Sequence, residues 1–164
     1  MSVLTSAPVP PPGPADHVRG PQDAPVAIVY ADFECPFCAA LDVRLTELDV
    51  QVCFRHFPVR SSHPRAWPAA CAAEAAALQD AFWPMHDALF ADQGRLEDPH
   101  LWSRAETLGL DVERFDADRR SDAVRARVKA SFRAGVSCGV VTTPSAFLDG
   151  VLHPGREILD VLRT

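Results

Sequence analysis

The sequence predicts an α/β domain: a central mixed sheet made of a βαβ half and a C-terminal ββα half, with a helical insertion between them. Three observations carry this. An almost unbroken apolar run, Val26–Tyr30, is followed by a helical pattern and a second strand pattern within about thirty residues, the length and order of a parallel βαβ unit with a right-handed crossover. Between about residues 62 and 135 apolar residues recur at helical spacing. Then Ser145–Leu148, Asp149-Gly150 and Val151–His153 read as strand, tight turn, strand, because Asp-Gly supplies the positive φ that a two-residue hairpin turn needs.

The chain has 164 residues, 48% hydrophobic and 23% charged, which suits one globular domain with a real core. Its net charge is −6 and Lys129 is the only lysine. An acidic balance argues against non-specific nucleic-acid binding, so no nucleic-acid partner is expected. No apolar run approaches the roughly 18 residues of a membrane span, so no membrane partner is expected either. Residues 1–25 hold seven of the fifteen prolines. Residues 1–20 therefore read as a flexible Pro-rich tail, and residues 21–164 as the single domain. Met1–Pro8 has neither the basic nor the apolar region of a secretory signal, and a cytoplasmic location is expected. Five cysteines cannot all pair within one chain, and in a reducing compartment most are thiols.

The elements follow in order. Gly20–Pro25 is a turn that launches the first strand, and the run Val26–Tyr30 suits a strand covered on both faces. Leu41, Leu45 and Leu48 mark the helix from Pro36, and Val50–Phe57 is the next strand, ended by Pro58. In the insertion, Pro64–Ala81 is Ala-rich with Cys71, Ala75, Leu78 and Phe82 on one stripe, and Phe82–Asp92 carries Met85, Leu89 and Phe90. Leu101, Ala105 and Leu108 mark a helix stopped at Gly109. Asp111 caps a short helix through Phe115, and Ser121 caps one with Val124, Val128 and Phe132 on one face. Glu157–Leu162 closes the chain.

Asp32-Phe33-Glu34-Cys35-Pro36-Phe37-Cys38 lies at the strand-to-helix junction, and a C-x-x-C there reads as a redox pair. Pro36 suits the first helical position. Cys35 is then the N-cap, facing free backbone N–H groups and the positive helix end, both of which favour thiolate. Cys38, three residues on, shares its side of the first turn and can resolve a mixed disulfide formed on Cys35. A structural zinc needs a second pair of ligands at matching spacing; only scattered cysteines and histidines are present, and no metal is expected.

Together these stretches resemble the DsbA-like thioredoxin-fold proteins, in particular a compact bacterial subgroup. The resemblance rests on Asp32–Cys38, Phe54-Arg55-His56-Phe57-Pro58, Phe82–Asp87 and Gly139–Gly150, and runs from about Gly20 to the C-terminus. It implies a thioredoxin fold with a helical insertion. It also implies a cis bond at Thr143-Pro144, facing the cysteines, with Pro36, Phe37, Thr143 and Pro144 binding a substrate strand. Members of that subgroup commonly carry a Glu six residues before the first cysteine, and here that position is Val29. Asp32 and Glu34 are expected to be solvated, with the Glu34 charge opposing the Cys35 thiolate.

Other candidates each have a plainer reading. His56 sits at the strand end on the cysteine side and is an auxiliary candidate; packing or hydrogen bonding is the plainer role. Cys53 and Cys71 read as core residues. Cys138 stands six residues before Pro144 and is a second auxiliary candidate, with pairing to Cys71 as one use. His63, His86, His100 and His153 carry no catalytic argument. The expected function is thiol–disulfide exchange with protein or peptide thiols, with an unidentified redox partner recycling the dithiol and no cofactor beyond the redox-active disulfide. The alternatives are a glutathione-dependent transferase or isomerase, and a non-catalytic peptide-binding module.

Overall fold

The computed structural model describes residues 5–164. Residues 1–4 of the expected tail lie outside the described residues. Five strands form one mixed sheet: β1 (His17–Arg19), β2 (Val26–Ala31), β3 (Gln51–His56), β4 (Ser145–Leu148) and β5 (Val151–Pro154), in the order β1-β3-β2-β4-β5. β2 and β3 are parallel, with Val29 opposite Phe54 and Ala31 opposite His56. β4 runs antiparallel to β2, and β5 to β4. Helix α1 (Pro36–Thr46) joins β2 to β3.

The insertion holds α2 (Ala66–Ala77), α3 (Phe82–Ala91), α4 (Asp98–Thr107), α5 (Val112–Arg119) and α6 (Asp122–Ser137), and α7 (Glu157–Leu162) ends the fold. α2 stops short of the expected Ala81 because the chain turns at Asp80, which has φ 58°. α5 runs past Phe115 to Arg119. The caps form as the sequence indicates: Asp111 accepts from the Arg114 N–H and Ser121 from the Val124 N–H. The hairpin turn has φ 50° at Asp149 and 78° at Gly150, the signature of a type I′ turn.

Burial divides across the sheet. Ala27, Val29, Ala31, Val52 and Phe54 pack with Cys38, Leu41 and Leu45 of α1, with Ala-rich α2 and with Met85 and Leu89 of α3. Alanines let α2 approach closely, so nine of its residues are buried. Ile28, Tyr30, Cys53, Phe57 and Phe147 form the second layer with Cys138 and Phe132. Gly135 of α6 is the tight contact there: an added Cβ would lie 2.7 Å from the Phe57 ring and 3.0 Å from Tyr30. Gly135→Ala is therefore expected to destabilise the fold by about 1–2 kcal/mol, since overpacking of about 1–3 kcal/mol outweighs the gain in helix propensity of up to about 1 kcal/mol. An unchanged or higher denaturation midpoint would contradict this.

The expected free tail needs correction over its described part. His17–Arg19 pairs antiparallel with Phe54–Val52, covering an edge of β3 that would otherwise expose unpaired backbone groups. Upstream, the Arg55 guanidinium donates to Asp16 (2.9 and 3.0 Å) and to the Pro11 carbonyl, and the Ala7 N–H reaches the Ser137 carbonyl. Polar and backbone bonds attach the segment together with Val9 and Val18, which pack on the second core layer at no regular spacing.

Candidate active site

Cys35 is the N-cap of α1, in extended conformation (φ −78°, ψ 118°), with Pro36 opening the helix. The Cys38 and Ala39 N–H groups both point back to the Cys35 carbonyl, so the first turn is closed and the two thiols share one side. Both cysteines are buried, and both are free thiols, as are Cys53, Cys71 and Cys138. The Cys35 Sγ lies 3.6 Å from the Thr143 carbonyl. The Thr143–Pro144 bond is cis, and the fold thus brings Cys35, Cys38, Thr143 and Pro144 together. Phe37 is 73% exposed. It opens a groove of about 1210 Å³ that continues past Leu41, Thr143 and Pro144 to Leu159.

The two thiols are inequivalent. The Cys38 thiol hydrogen-bonds Cys35 and, with backbone N–H groups and Thr143, lowers the Cys35 pKa to about 6 against the opposing effect of burial. Burial pushes the Cys38 thiol far up, and the Cys35 charge adds to this. At neutral pH the outer sulfur is thus a nucleophilic thiolate and the inner one a protonated reserve.

This asymmetry has a stability consequence. A thiol in an unfolded chain titrates near 8.5, above the folded value for Cys35. The thiolate therefore stabilises the reduced fold fully above roughly pH 8.5, and the gain fades as pH falls through about 6. The stability gap between reduced wild type and Cys35→Ser is expected to widen between pH 6 and pH 8.5, by on the order of 3 kcal/mol. A gap that stays constant in denaturant titrations across that range would contradict it.

Three further residues hold the site: Asp32 and Glu34 of the motif, in roles its sequence does not indicate, and Gln93, which carries no sequence signal. Asp32 is buried, contrary to the expectation of a solvated acid. Its carboxylate accepts the Glu34 N–H (2.8 Å), the Val59 N–H (2.9 Å) and a hydrogen bond from His63 Nδ1 (2.8 Å). Gln93, from the loop after α3, donates to the Phe33 and Cys35 carbonyls, both at 2.9 Å, so the insertion grips the Cys-Pro-Phe-Cys turn directly. Glu34 is half-buried, and its carboxylate accepts the Arg65 N–H at 2.6 Å. Val29 is buried in β2, next to Phe54 and Ala146.

The auxiliary candidates lie elsewhere. His56 Nε2 bonds Glu74 at 2.7 Å, and its ring packs against Phe33 and Phe54, so it is a packing and hydrogen-bonding residue. Cys138 caps α6 in the second layer, its Sγ 3.4 Å from the Gly135 carbonyl and 4.0 Å from the Tyr30 hydroxyl. Cys71 packs against Val124 and Val128 in a separate cluster. Among the described residues one trio could approach a metal, Asp42, His86 and Asp87. The Arg19 guanidinium already bridges both carboxylates, at 2.8 Å from Asp87 and 3.4 Å from Asp42, and occupies the place of a cation.

A parallel β2/β3 pair, an antiparallel hairpin and a Cys-x-x-Cys helix start opposite a proline turn define the thioredoxin class of fold. A protein-family model described as thioredoxin matches residues 13–159, and the chain belongs to that family. Among solved structures it is similar to a thioredoxin-like oxidoreductase from Silicibacter pomeroyi (TM-score 0.80, 24% identity, 92% of this chain and 91% of that one). It is also similar to the thiol-disulfide exchange protein alpha-DsbA2 from Wolbachia pipientis (0.79, 21%, 92% and 84%) and to BdbD from Bacillus subtilis (0.78, 18%, 97% and 97%). The fold is that of the DsbA-like proteins. Among curated sequences, Na(+)/H(+) antiporter NhaA 3 of Salinispora tropica is 44% identical over 156 residues, and NhaA 1 of Salinispora arenicola is 42% identical over 156. Each match covers 90% of this chain, which spans about a quarter of the length of those relatives. No helix among the described residues is long and apolar enough to cross a membrane.

Proposed function

We propose that the chain is a thiol–disulfide oxidoreductase of the DsbA-like kind, exchanging disulfides with protein or peptide thiols through Cys35 and Cys38. The observation that carries this is the pairing of a thiolate-prone Cys35 with a buried, protonated Cys38 at the head of an open groove. The Cys35 thiolate attacks a substrate disulfide, forming a mixed disulfide and releasing one substrate thiolate, which takes up a proton. Cys38 then loses its proton and attacks the Cys35 sulfur; the Cys35–Cys38 disulfide forms and the second substrate thiolate leaves. The same steps in reverse oxidise a dithiol substrate. Pro36, Phe37, Thr143 and Pro144 line the substrate's path. The redox-active disulfide is the only redox group the cycle requires, and a separate thiol–disulfide couple restores it.

Five cysteines cannot all pair within one chain and a reducing compartment keeps them as thiols, and we assign the exchange to the cytoplasm. The test is the rate at which the purified protein exchanges a fluorescent peptide disulfide with a dithiol at neutral pH. Catalysis well above the uncatalysed background is expected. A rate equal to that background would overturn the proposal.

A further inference from the structure

We propose that His63, through its ion pair with the buried Asp32 carboxylate, is a positioning residue that balances charge beneath the Cys35–Cys38 pair and so maintains the Cys35 thiolate. The proposal rests on reading that pair as an exchange dithiol. Asp32 meets both cysteines through its main chain: its N–H points to Cys38 Sγ at 3.5 Å, and its carbonyl accepts the Cys35 N–H at 3.1 Å. Its carboxylate has no solvent exposure. A buried negative charge there opposes a thiolate forming beside it. The remedy is a cation on the carboxylate, and His63 supplies it at 2.8 Å while remaining 23% exposed.

The surroundings favour the protonated imidazole. From the β2–α1 junction, Asp32, Glu34 and Cys35 face it. From its own loop, Arg65 is engaged elsewhere, its N–H on Glu34 and its guanidinium 3.5 Å from Glu97 at the start of α4. Burial works against the charge, but the hydrogen bond and charge of Asp32, with the charges of Cys35 and Glu34, raise the His63 pKa. With Val29 apolar, the Asp32–His63 pair is the charged pair joined to both cysteines through hydrogen bonds of one residue.

Coupling between two sites is reciprocal, so the first test needs no substitution. The His63 pKa, followed by NMR in the intact protein, is expected to be higher with the Cys35 thiolate present than in the Cys35–Cys38 disulfide form. Equal values in the two forms would overturn the proposal. The second test uses His63→Gln, which keeps a donor for Asp32 without the charge. Its Cys35 alkylation rate at pH 6 is expected to fall about fivefold, the loss of thiolate when a pKa of about 6 rises by roughly one unit, with the high-pH plateau unchanged. The Asp32→Asn/His63→Gln double variant, lacking the uncompensated carboxylate, is expected to recover most of that loss. A His63→Gln profile identical to wild type would overturn the proposal. Absence of catalysed exchange in wild type, with the His63 coupling intact, would instead overturn the functional reading alone.

Discussion

A Cys35→Ser protein is expected to lose catalysed exchange down to the uncatalysed background, while Cys38→Ser accumulates stable mixed disulfides with substrate. The two outcomes differ because the two sulfurs do. Cys35, at the helix start and beside the groove, has its pKa lowered to about 6. A serine hydroxyl at the same place is not a nucleophile toward disulfides. Cys38 is buried and its thiol is held protonated, so it acts only once a disulfide stands on Cys35. Without it the substrate stays attached until an external thiol releases it. Mass spectrometry after alkylation separates the cases: one substrate adduct on Cys38→Ser and none on Cys35→Ser. Exchange at the wild-type rate by Cys35→Ser would refute the assignment.

Glu74→Ala is expected to cost about 3–5 kcal/mol of stability, the range for breaking a buried ion pair from one side. Glu74 is 3% exposed on α2. One carboxylate oxygen bonds His17 Nε2 (2.8 Å) and His56 Nε2 (2.7 Å), and the other meets Arg127 Nε at 2.5 Å. One acid thus ties β1, β3, α2 and α6. Burial alone would raise its pKa, but the hydrogen bonds and charges of the two histidines hold it well below the ordinary carboxylate range. A depressed folded value means that the stabilisation is complete above the unfolded value of about 4.5. It is lost as pH falls below that. The stability advantage of wild type over Glu74→Gln should therefore shrink below about pH 4.5. Denaturant melts at pH 7 and pH 3 measure this, and equal advantages at both would contradict it.

What the sequence reveals of this protein is what is local. The redox pair, its helix start and the β4–β5 turn depend on neighbours within four residues: Pro36 after Cys35, Asp149 before Gly150. The βαβ unit follows from apolar periodicity along one stretch. The site's supports are different. Asp32 meets His63 across 31 residues, and Gln93 reaches the Cys35 carbonyl across 58, so nothing near either residue announces the contact. β1 is three residues long, with Val18 packed on the second core layer and Arg19 paired to Asp87; three residues are too few for periodicity to mark, and the composition of the segment reads as tail. Glu74 did leave a trace, as the lone acid among the alanines of α2; a charge in so apolar a helix needs partners, but periodicity does not say which.

As an exchange dithiol, Cys35 and Cys38 are expected to form one reversible two-electron couple. Equilibrating the protein across a series of glutathione redox buffers, quenching with acid and counting free thiols by alkylation and mass spectrometry tests it directly. A single transition is expected, in which Cys35 and Cys38 lose or gain both thiols together while Cys53, Cys71 and Cys138 stay reduced. Independent titration of the two, or no transition at any ratio, would contradict it.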